Sequence, residues 1–123
     1  MMKVLSNQPT RCGCHPLEWA CELSGTALLL LGGLSALCLD FGPDTPLRGV
    51  GTSPRLLLTG LLFAGVGSLI AISPVGLRSG THLNPVVTVA FWTQGKVHPL
   101  DLAGYVVSQL LGALVGTAAL LGL

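Results

Sequence analysis

Asn84 and Pro85, within the stretch Ser79-Gly80-Thr81-His82-Leu83-Asn84-Pro85-Val86-Val87-Thr88, have the chemistry of a helix start. An Asn side chain accepts from the free N–H groups of a first turn, and Pro fits the first helical position. From Pro85 to the next break at Gly95 there is room for only about ten residues, or roughly 15 Å of helix, half of a ~30 Å hydrocarbon core. Two further groups of residues stand out. Glu22 lies inside an apolar run, and Cys12-Gly-Cys14-His15 brings three soft ligands close together. The cysteine cluster supplies too few ligands, at an unusual spacing, and has no second half to complete a zinc site. It reads as a plain tail, and no metal or other cofactor is expected.

The elements that must position these residues are apolar helices. Spans are expected over 20–39, 56–73 and 102–123, each near the ~20 residues that a bilayer crossing needs, after a tail at 1–19. The loop from Asp40 to Pro54 holds three Pro and three Gly and is too broken to enter lipid. Residues 74–94 form a re-entrant segment: an extended stretch from Pro74 to Leu83 with exposed carbonyls, then the half-helix. By propensity alone Val86-Val87-Thr88-Val89 also fits a strand; the apolar neighbours favour the helix. Gly60, Gly65 and Gly67 in the second span, and Gly112 and Gly116 in the third, offer small faces for close helix approach.

Half of the 123 residues are hydrophobic and only 9% are charged, against about 25% in a soluble domain. The class is an all-α membrane protein with the bilayer as its first partner. A net charge of +1 without a basic cluster excludes nucleic acid as a partner. There is no nucleophile motif such as Gly-x-Ser-x-Gly, so no enzyme is expected. The first eighteen residues contain no apolar core of a cleavable signal peptide. Lys3, Arg11, Arg78 and Lys96 fall on one side of the spans, with Arg48 and Arg55 on the other. That bias puts the N-terminus and the Asn-Pro loop in the cytoplasm of a multi-pass cell-membrane protein.

Glu22 admits two readings. It snorkels to the interface beside Glu18 and Trp19, or it faces inward, where a charge costs roughly 2.5–3.5 kcal/mol and must accept hydrogen bonds from buried N–H groups. A half-helix N-terminus carries about half a positive charge and disfavours cations. Neutral hydroxylic molecules there accept from the Asn84 amide and donate to the carbonyls of Gly80 to Leu83, which is the arrangement of a conduit for water or small polyols. The same device serves anion transporters.

The stretch from Ser79 to Thr88 resembles the first Asn-Pro-Ala loop of the major intrinsic protein family, the aquaporins and aquaglyceroporins. Glu22-Leu-Ser-Gly-Thr26 resembles that family's first-helix signature, and Tyr105 to Gly116, with Gln109-Leu-Leu-Gly-Ala, is similar to its third helix. The resemblance implies one inverted repeat of the aquaporin-like fold: three transmembrane helices plus one re-entrant half-helix. It implies passive passage of water or small neutral solutes such as glycerol, and assembly as an oligomer. Gly80, Thr81, His82, Leu83, Asn84, Pro85 and Val86 then line the pore, while Glu22 and Gln109 brace the loop. His82 is either a pH sensor or a neutral histidine bonded to the loop.

Two departures qualify this. Val86 stands where the family has alanine, adding bulk near the midplane, and Ala64, beside Phe63, falls near the family's filter position. No second repeat or filter arginine precedes Leu123, so the run ends as a truncated polytopic protein would. Two copies in opposite orientation complete a channel, or a complementary half-channel is needed and the chain does not conduct alone.

Overall fold

The computed structural model describes residues 14–123. It contains five helices: α1 (Pro16–Phe41), α2 (Thr52–Ile72), α3 (Pro74–Ser79), α4 (Pro85–Thr93) and α5 (Pro99–Leu121). α1, α2 and α5 are long and apolar enough to cross a membrane, and no strand occurs among the described residues. Proline chemistry sets the helix starts. α1, α3, α4 and α5 each open on a Pro, whose missing N–H is one the first turn cannot use. The preceding Ser73, Asn84 and His98 side chains accept from Gly76 N, Val86 N and Leu100 N.

The long helices outrun the expected spans, although neither α1 nor α2 has a side-chain cap. α1 includes Pro16 to Trp19, which the sequence assigns to the tail, and α2 and α5 begin at Thr52 and Pro99 instead of residues 56 and 102. Residues 1–13 of that tail, with Lys3, Arg11 and Cys12, lie outside the described residues.

The segment 74–94, expected to be re-entrant, differs more. Residues 74–79 are helical where extended backbone is expected. Ser73 Oγ caps this short helix by accepting from Gly76 N at 3.3 Å, and its hydroxyl bonds Ile70 O at 2.6 Å. The four residues that follow are not extended either, since three of them have positive φ; extended backbone is reached at Asn84. α4 is helical, not a strand, and its nine residues span about 14 Å.

α1 is the central element. It runs parallel to α5: Glu22 meets Gln109, and side chains added at Gly112 and Gly116 would lie 2.3 Å from the carbonyl oxygens of Leu23 and Ala27. Backbones approach this closely only where one partner lacks a Cβ. α1 runs antiparallel to α2, with Phe63 over Gly33 and Val66 over Gly32. Here the small faces come from α1. Gly60 and Gly65 of α2, expected to make helix contacts, have nothing within 4 Å, and only Gly67 approaches a neighbour, Leu29 at 3.7 Å. α2 buries just Ile70, so nearly all of its surface is left for lipid or another chain.

At the far end of α1, Asp40 is buried and accepts from the Thr59 hydroxyl. The Arg55 Nε donates to the Asp40 carbonyl at 2.9 Å, and its guanidinium lies 4.4 Å over the Phe41 ring, tying α1 to α2 across the 42–51 loop.

Candidate functional site

The loop between α3 and α4 has an unusual backbone. Gly80, Thr81 and Leu83 have φ of 86°, 55° and 50°, and for the two non-glycine residues this left-handed conformation costs about 1–2 kcal/mol each. Something outside the loop must hold it, and Glu22 does. Its side chain is fully buried, with Oε1 accepting from His82 N at 3.0 Å and Oε2 from Leu83 N at 2.7 Å. Charge-assisted bonds of this kind are about twice as strong as neutral ones.

Gln109 of α5 completes the brace. Its Nε2 donates to Glu22 Oε2 at 2.8 Å and to Thr88 Oγ1 at 2.9 Å. Because a carboxylate only accepts, these contacts orient the Gln109 amide. Thr88, fully buried on α4, is a site residue that the motif reading passed over. Its hydroxyl donates to Asn84 O at 3.3 Å and lies 3.2 Å from His82 Nδ1. One hydroxyl proton serves one acceptor, so the tautomer with a proton on His82 Nδ1 satisfies every contact at once. The His82 ring stacks on Phe91 (centroids 4.7 Å apart) and meets Tyr105 edge-on at 5.0 Å. The Tyr105 hydroxyl in turn donates to Ser79 O at 2.9 Å, fixing the end of α3.

Glu22, Gln109 and the whole 80–86 stretch are thus brought together, but in two environments. Leu83 is buried, its side chain against Gly25, whereas Gly80, Asn84 and Val86 are exposed and Thr81, His82 and Pro85 half-buried. Asn84 Oδ1 accepts from Val86 N at 2.8 Å, which leaves the amide NH2 at an exposed helix start. Val86, 74% exposed, presents an apolar side chain beside it. Phe63 is turned into the α1–α2 contact at Gly33, while Ala64 is exposed.

A second cluster lies near the start of α1. Asp101 Oδ1 accepts from His15 N and Trp19 Nε1, each at 3.0 Å, and Oδ2 lies 2.6 Å from His15 Nδ1. The Trp19 ring covers Gly104, and Glu18 pairs with Arg78 of α3 at 3.5 Å. His15 is therefore a helix-joining residue, with its Nδ1 already engaged, and Cys14 is an exposed thiol. No group of three or more His, Cys, Asp or Glu suited to a metal occurs among the described residues. The signal for this cluster was an acidic residue in the first turn of a helix, which names no partner.

The chain is similar in sequence to several known proteins. The chain is 34% identical over 101 residues to Aquaporin Z of Photorhabdus laumondii, covering 82% of this chain and 41% of that protein. It is 41% identical over 103 residues to Aquaporin-2 of Rhizopus delemar (84% and 30%) and 29% identical over 99 residues to Aquaporin NIP1-1 of Zea mays (80% and 32%). It thus spans less than half the length of each. No solved structure matches the chain. With the Major intrinsic protein family profile matching residues 18–123, this chain belongs to the major intrinsic protein family, a family of membrane channels.

Proposed function

We propose that the chain supplies one half of a passive conduit for water or small neutral solutes such as glycerol. The observation that carries this reading is the exposed Asn84 amide at the start of α4, beside a loop whose N–H groups at residues 82 and 83 are taken by Glu22. The carbonyls of Gly80 to Leu83 receive no hydrogen bond from the described residues. They and the amide form a donor and acceptor lining that suits a molecule able to do both. The helix dipole at the same place disfavours cations. Gly80, Thr81, His82, Leu83, Asn84, Pro85 and Val86 form this lining. Glu22 and Gln109 hold it without touching solute, and the role is transport, not catalysis. The N-terminus and the loop face the cytoplasm, following the basic residues.

The test is osmotic shrinkage of liposomes containing the purified chain, followed by stopped-flow light scattering. A fast component that Asn84→Asp abolishes supports a lining built by copies of this chain, paired in opposite orientation. A second reading rests on length: covering 41% of Aquaporin Z leaves room for a complementary half-channel, which would have to be added before any flux appears. Inserted, helical protein that stays impermeable favours this second reading.

A further inference from the structure

The interface between α1 and α5 contains two buried polar atoms without partners among the described residues, Thr26 Oγ1 and Gln109 Oε1. Thr26 is 3% exposed and Gln109 1%. Each has a reason to be where it is. The Gln109 amide is oriented by its Nε2 bonds to Glu22 and Thr88, so Oε1 faces elsewhere. Thr26 behaves unlike the serines of its own helix. Ser24 and Ser35 donate to the carbonyls of Ala20 and Leu31, four residues back, at 2.8 and 2.5 Å, whereas the Thr26 hydroxyl makes no such bond.

The two residues lie on neighbouring layers of one contact. Thr26 follows Glu22 by one turn of α1, and Gly112 follows Gln109 by one turn of α5. Because the helices run parallel, Gln109 meets Glu22 while the Thr26 Cβ lies 3.1 Å from where a Gly112 side chain would start. One atom can only accept, and the other both donates and accepts. Buried polar atoms left unpaired in this way are rare and are commonly joined by an ordered water.

We propose that a single water molecule binds between Thr26 and Gln109, donating to Gln109 Oε1 and accepting from the Thr26 hydroxyl. It lies behind the Glu22 brace, separate from the exposed lining at Asn84, and does not depend on whether the chain conducts. Thr26 is then a positioning residue: through the water it fixes the face of the Gln109 amide opposite to the one that holds Glu22.

The experiment is a structure of the full chain in lipid at a resolution that shows ordered water. One density peak within hydrogen-bond distance of both Thr26 Oγ1 and Gln109 Oε1 is expected. Thr26→Val, which keeps the shape against Gly112, should lose the peak and retain the Glu22 contacts to Leu83 and Gln109, while Thr26→Ser should restore it. No peak in the wild-type chain, or a direct bond from the Thr26 hydroxyl to Gln109 or to the Glu22 carbonyl, overturns the proposal. So does a peak that persists in Thr26→Val. The wild-type structure decides even if the valine variant fails to fold.

Discussion

The Glu22 carboxylate accepts the Leu83 N–H at 2.7 Å across 61 residues of chain, and Leu83 is one of two non-glycine residues with positive φ among the described residues. The costly backbone and the buried charge are thus answers to one another. The charge is satisfied by N–H groups that a regular helix would have turned along its axis, and the backbone is held in a conformation that the loop alone would abandon.

Removing the carboxylate should therefore unfold the loop before anything else. Glu22→Ala leaves the His82 and Leu83 N–H groups and one Gln109 bond unsatisfied, at about 1–3 kcal/mol for each buried group. The expected outcome is a clear drop in thermal midpoint in detergent, with faster amide exchange at residues 80–84. Unchanged stability and exchange would mean that the carboxylate does not hold the loop.

Glycine substitutions separate the two helix contacts. Gly112→Ala places a Cβ 2.3 Å from the Leu23 carbonyl oxygen, and since backbone cannot swing aside, α1 and α5 must part at a cost of about 1–3 kcal/mol. Gly60→Ala meets nothing within 4 Å and should change stability by less than about 1 kcal/mol, in the stabilising direction. Thermal unfolding of both variants checks this, and equal destabilisation would place a partner against α2 at Gly60.

The Asp101 cluster has an optical readout. Asp101→Ala strands the Trp19 indole N–H and the His15 N–H, both donors to Oδ1 at 3.0 Å. In a Trp92→Phe background, in which Trp19 is the sole tryptophan of the chain, the emission maximum should shift to the red as the ring leaves Gly104. Asp101→Asn keeps an acceptor and should shift it less. An unmoved spectrum would show that packing alone seats the ring.

Much of the fold was legible because its signals are local. Three apolar runs mark the long helices, and these neighbours turn the β-branched residues after Asn84 and Pro85 from an open choice between strand and helix into a helix. α3 was not legible: Pro74-Val-Gly-Leu-Arg-Ser has too few residues for a periodic pattern, and its stability comes from the Ser73 cap and from Tyr105, 26 residues on from Ser79. The pattern left Glu22 open between snorkelling and facing inward, because a helical register does not say which face is inside until α5 is in place. The partners of Asp101 were hidden for the same reason, and Gly60 and Gly65 misled because a glycine advertises room for contact without supplying a neighbour.

The distance along the chain between Glu22 and its partners has a consequence for biosynthesis. His82 and Gln109 follow Glu22 by 60 and 87 residues, so at about 5–20 residues per second the ribosome keeps the carboxylate waiting on the order of 10 s. For that interval the first helix carries an unmatched charge. Until residues 82 and 83 and then Gln109 follow, Glu22 opposes the insertion of its own helix by the roughly 2.5–3.5 kcal/mol that a charge in a membrane helix costs.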